Sequence, residues 1–77
     1  MSPLILACVL EQVKIIKILF KYGVDVNKQN KYKLTPLMYA CSMGNSKIVD
    51  ILLKNGADKN SICVAGYTPL MFACRKY

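Results

Sequence analysis

Thr35-Pro36-Leu37-Met38-Tyr39-Ala40-Cys41 recurs as Thr68-Pro69-Leu70-Met71-Phe72-Ala73-Cys74, an offset of 33 residues. One further step back gives Ser2-Pro3-Leu4, followed by Ala7-Cys8. The match continues between these segments. Lys14-Ile15 maps onto Lys47-Ile48, and Ile18-Leu19 onto Ile51-Leu52. Gly23, Asp25 and Asn27 map onto Gly56, Asp58 and Asn60. Sliding the chain on itself by 33 residues makes 18 of 44 positions identical without a gap. Unrelated segments would share about two or three, so the period is real and sets the fold.

The chemistry of one unit points to a pair of helices. Thr35 can cap a helix with its hydroxyl, and Pro36 suits the first helical position, where no amide hydrogen is needed. Leu37, Ala40 and Cys41 then fall on one helical face. Gly44 can take the left-handed conformation that ends the helix. Asn45 or Ser46 starts a second helix, in which Ile48, Val49, Ile51, Leu52 and Leu53 form a broad apolar face. Lys47, Asp50 and Lys54 mark its wet side. Gly56 ends it, and Asp58 and Asn60 suit a turn. Such a unit cannot bury its apolar face alone, so neighbours must stack on it. Ala7, Ala40 and Ala73 are equivalent, and their small side chains let helices approach closely.

Composition narrows the classes. The chain has 77 residues, room for one small domain, and is 55% hydrophobic, which argues against disorder. Its longest apolar run, Pro3 to Leu10, is far short of the ~20 residues that span a bilayer. No basic stretch precedes that run and no small-residue cleavage site follows it, so it does not read as a signal peptide. The net charge is +7, but the lysines are dispersed rather than clustered. The four cysteines show no CxxC spacing and there is no histidine, so metal ligation of the zinc type and a cofactor are not expected.

The period of 33, the Thr-Pro-Leu signature and the later Gly-x-Asp-x-Asn together resemble the ankyrin repeat, over essentially the whole chain. The resemblance implies an all-α solenoid of stacked helix-turn-helix units joined by projecting hairpin loops. It implies one domain over 1–77, with units at about 2–34 and 35–67 and a partial unit at 68–77. Stacked helices lie roughly 10 Å apart, beyond the ~7 Å Cα separation a disulfide tolerates. Cys8, Cys41 and Cys74 therefore read as small buried hydrophobes in a reducing, intracellular compartment. Cys63, in the loop, is the cysteine expected to be exposed and open to reaction. Three positions depart from the family pattern. Ile5, Met38 and Met71 stand where the motif has histidine. Glu11 replaces the helix-ending glycine, and Lys33 replaces the hairpin glycine. If Lys33 needs a positive φ, it costs roughly 1 kcal/mol. Neither end carries an evident polar cap, so a fragment of a longer array, a truncated product or a self-associating chain is expected.

The resemblance also implies a function: a non-catalytic module that binds another protein through hairpin tips and the concave helix face. Carried over residue by residue, the contacts fall on Gln29, Lys31, Tyr32, Leu34, Ser42 and Met43. In the next unit they fall on Ile62, Val64, Ala65, Tyr67, Arg75 and Lys76, and in the first on Val9 and Leu10. Tyr32 and Tyr67 are the anchor candidates, since aromatics add area at low entropic cost. Tyr67 has a competing reading, simple packing over the neighbouring hairpin. The basic balance suggests an acidic partner surface. Lys14, Lys17 and Lys21 form a stripe on the second helix that reads as a solvated convex face. The alternative, a nucleic-acid or anionic-surface binder, has only net charge in its favour, with no reading helix or Lys/Arg cluster. Catalysis has less: no carboxylate pair in supporting geometry, no G-x-S-x-G and no phosphate-cradling glycine loop.

Overall fold

The computed structural model describes residues 2–75, with side chains for residues 2–74. It contains five helices among the described residues: α1 (Pro3–Val9), α2 (Val13–Lys21), α3 (Pro36–Met43), α4 (Ser46–Lys54) and α5 (Pro69–Arg75). No strand occurs among them. The first helix of each unit stacks on its neighbour, α1 on α3 and α3 on α5. The second helices back them, α2 against α1 and α4 against α3.

The helix starts follow from the repeated motif. Ile5 N–H donates to Ser2 Oγ at 3.2 Å, Met38 N–H to Thr35 Oγ1 at 3.3 Å, and Met71 N–H to Thr68 Oγ1 at 3.3 Å. Each bond satisfies an amide that the helix leaves unpaired, and proline follows each cap. Asn45, rather than Ser46, caps α4, accepting from Ile48 N–H at 3.1 Å. Gly44 ends α3 at φ 71°. Its counterpart Glu11 adopts φ 57°, so the irregular first unit keeps the same chain path with a strained residue.

The core lies between the two helix layers. Leu4, Cys8, Ile16, Leu37, Ile48 and Leu52 are buried and packed together. Ile5 and Met38 are also buried, so apolar packing fills the place of the motif histidine. The flanks behave differently. Ile48 is 0% exposed, whereas its counterpart Ile15 is 48% exposed. Leu4 and Leu37 are 0% and 2% exposed, whereas Leu70 is 70% exposed. Residues that bury themselves against a neighbouring unit stand open where no such unit is described. Beside α5 this leaves an apolar groove of about 610 Å³, lined by Leu37, Val49, Leu53, Leu70 and Ala73 among others.

The loops are tied together as well. Asn27 Nδ2 donates to the Gly56 carbonyl at 3.2 Å, and its Oδ1 accepts from Asp58 N–H at 2.8 Å. Asn45 Nδ2 donates to Glu11 Oε1 at 3.0 Å. These bonds join residues about one period apart, so they hold unit to unit.

The cysteines correct two expectations. Cys63 is buried, not exposed, because the second hairpin folds back at that point: Cys63 N–H donates to the Tyr67 carbonyl and Gly66 N–H to the Cys63 carbonyl. Cys74, expected to be buried, is exposed on the open side of α5. Cys8 is buried, and loss of solvent around its thiol pushes the pKa to about 11. Cys41 is half-buried, and the same loss of solvent raises its pKa.

Candidate functional site

The two loops that follow α2 and α4 end in hairpin tips. In the first, Asn30 N–H donates to the Leu34 carbonyl at 3.0 Å and Lys33 N–H to the Asn30 carbonyl at 2.9 Å. The Asn30 side chain braces the same turn, its Oδ1 accepting from Tyr32 N–H at 2.9 Å and Leu34 N–H at 3.0 Å. Lys33 closes the turn at φ 61°, where the second hairpin has Gly66 at φ 84°. The two tips lie side by side, because Val64 N–H donates to the Tyr32 carbonyl at 3.1 Å.

A groove of about 740 Å³ opens between the first hairpin and the first helices. Lys28, Gln29, Lys31 and Tyr32 form its hairpin side, and Ile5 and Tyr39 its helix side. Tyr39 is held from the hairpin: Asn30 Nδ2 donates to its hydroxyl oxygen at 3.1 Å. The hydroxyl oxygen accepts in that bond, and its own hydrogen remains available to donate. Lys31 Nζ sits 5.2 Å from the Tyr32 ring centroid, within cation–π range.

The residues expected to make contacts divide into groups. Gln29, Lys31 and Tyr32 are exposed on the first tip, while Leu34 is half-buried at its base. Ile62, Val64, Ala65 and Tyr67 are exposed on the second tip. Tyr67 also packs edge-on against Phe72, with ring centroids 5.6 Å apart, so it has a structural share. On the helices, Ser42 and Leu10 are exposed, and Met43 and Val9 half-buried. Arg75 ends α5, its side chain outside the described residues together with Lys76. Tyr39, Ile5 and Asn30 belong to the groove without having been expected there from the sequence, whereas Lys28 belongs to it as one of the three lysines, with Lys31 and Lys33, that gather around Tyr32 near the first hairpin. One signal in the sequence marks two of these residues: Asn30 and Tyr39 are replaced together, one period later, by Cys63 and Phe72. Lys14, Lys17 and Lys21 are exposed along α2.

Comparison with known proteins agrees with this geometry. A family model described as ankyrin repeats (3 copies) matches residues 4–77. The crystal structure of the human ASB11 ankyrin repeat domain superposes with a TM-score of 0.91 at 36% sequence identity. The match covers 96% of this chain and 34% of that one, so the chain spans about a third of the matched domain's length. A comparison with curated proteins finds no match.

Proposed function

The chain belongs to the ankyrin-repeat family, and from that premise we propose that it is a non-catalytic recognition module that binds a partner protein through its two hairpin tips and the concave helix face. Ankyrin repeats are generally protein–protein interaction modules. The observation that carries the reading here is the continuous row of exposed side chains, Gln29, Lys31, Tyr32, Ile62, Val64 and Tyr67, on two tips bonded to each other. Large aromatic and aliphatic groups on a braced backbone are what an interface uses to gain area without ordering cost. The partner surface is acidic, as the +7 charge favours. The units at 2–34, 35–67 and 68–77 act as one domain over 1–77. The module works in a reducing compartment, supported by four cysteines that are all free. No helix among the described residues is long and apolar enough to cross a membrane.

The test is an affinity measurement against a partner identified by cross-linking to the full chain. The Tyr32→Ala, Tyr67→Ala double variant should bind at least about tenfold more weakly, a loss of ~1.4 kcal/mol. Unchanged affinity with an intact melting transition would remove the mapping. The open flanks, with Ile15 on one side and Leu70 on the other, also suit stacking against further repeats or another copy of the chain. Sedimentation should show mass rising with concentration, and Leu70→Glu should reverse it. A monodisperse monomer at all concentrations would argue against stacking between copies.

A further inference from the structure

The repeat is strictest where it builds the scaffold and vanishes at the tips. Asp25 and Asn27 match Asp58 and Asn60, and Thr35 to Met38 match Thr68 to Met71. Between these anchors, residues 28–34 and 61–67 share no identity at any position. The divergence has a chemical direction. Lys28, Lys31, Tyr32 and Lys33 become Ser61, Val64, Ala65 and Gly66. The first tip is cationic and aromatic, and the second is uncharged, with Ile62 55% and Val64 64% exposed.

The replacement extends below the tips. Asn30 orients the Tyr39 hydroxyl, and both members of that pair are lost together as Cys63 and Phe72. Cys63 is buried, and Phe72, packed edge-on against the Tyr67 ring, has no hydroxyl, so the second unit lacks the polar pair of the first. The first groove offers two ammonium groups and the Tyr39 phenolic hydroxyl, and none of the residues lining it carries a carboxylate. Donors without acceptors of matching charge select an anionic oxygen acceptor.

We propose that the two hairpins form one bipartite site for an extended segment of a partner protein, with a carboxylate side chain in the Lys28–Lys31–Tyr39 groove and an apolar side chain on Ile62 and Val64, three residues apart. This rests on the recognition reading above and names the chemistry of the segment that it binds. The spacing follows from geometry. Adjacent units lie roughly 10 Å apart, the tips are bonded directly through Val64 and Tyr32, and an extended chain rises about 3.3 Å per residue. Exposed ion pairs are individually weak, so the carboxylate adds selectivity of about tenfold rather than the whole affinity.

The test uses the isotopically labelled full chain and acetylated, amidated Ser/Gly decapeptides. Each carries one Glu and one Leu at separations of one, three or six residues, in both orders. Chemical-shift titration should confine the changes to residues 28–39 and 61–67. Separation by three should bind most tightly, and replacing the peptide Glu by Gln should raise Kd about tenfold. Tyr39→Phe should weaken the Glu peptide severalfold and leave the Gln peptide unchanged. Phe72 at the equivalent position shows that phenylalanine fits there, and Lys31→Gln provides a second variant with the same expected selectivity. Shifts at both tips that ignore the acid and the spacing would overturn this inference and leave the recognition surface standing. Shifts confined to Lys14, Lys17 and Lys21, or no shift with any peptide, would overturn the inference, and the first of these would also move the interaction surface away from the hairpins.

Discussion

Two residues carry a backbone conformation that their side chains oppose. Glu11 and Lys33 sit at φ 57° and 61°, where one period later the chain has Gly44 and Gly66 at φ 71° and 84°. A Cβ in the left-handed region costs ~1 kcal/mol or more relative to glycine. The two substitutions to glycine should nonetheless differ. Lys33→Gly relieves the strain and removes no hydrogen bond of the lysine side chain, so it should raise stability by about 0.5–1 kcal/mol, read as a higher midpoint in urea. Glu11→Gly also deletes the acceptor for Asn45 Nδ2, a bond of roughly the same worth, and should be close to neutral. Equal gains from both would show that the Glu11–Asn45 bond contributes nothing. Keeping lysine at the more costly position leaves a cation at the hairpin tip, as the proposed acidic partner requires.

At the scale of the element, the two second helices show what a single cap does. α2 and α4 begin from nearly the same backbone, with Gln12 at φ −89°, ψ 79° and Asn45 at φ −88°, ψ 92°. Asn45 caps α4 with its side chain, whereas Gln12, one methylene longer, makes no such bond and donates instead to the Leu10 carbonyl. Gln12→Asn should therefore supply the missing cap and raise the melting temperature of the chain, by about 1 kcal/mol in stability. A variant that melts no higher would show that the strained turn at Glu11 holds the side chain away from Ile15 N–H. The helices themselves were legible in the sequence because Thr35, Pro36 and Gly44 act locally, through capping, φ and the left-handed turn. The hairpin interior was not. Tyr39 is held by Asn30 from another element, Cys63 is buried in a turn closed within its own loop, and no local propensity encodes which side of a tight turn faces the core. Only the paired loss of Asn30 and Tyr39, visible against the repeat, hinted at their contact.

Over the whole molecule, burial rather than charge pairing sets the pH response that can be read from single groups. The Cys8 thiol has its pKa raised from 9.0 to about 11 by desolvation. Below pH 9 it is neutral in both folded and unfolded chains and leaves their balance unaltered. Between pH 9 and 11 only the unfolded chain ionises it, so unfolding gains and stability falls as pH rises. Melting temperature measured from pH 8 to 10.5 should drop more steeply for the natural chain than for Cys8→Ala. Parallel slopes would mean that the thiol is as solvated in the folded state as in the unfolded one.

The cysteines also stand at graded depths along the array. Cys74 lies open on α5, Cys41 is half-covered on α3, and Cys8 is sealed against α1's neighbours. An alkylating reagent would thus meet Cys74 at once, whereas modification of Cys41, and still more of Cys8 and the buried Cys63, would wait on the opening of the segments that cover them. The array thus carries its own reporters of local unravelling, which need no engineered label to be read.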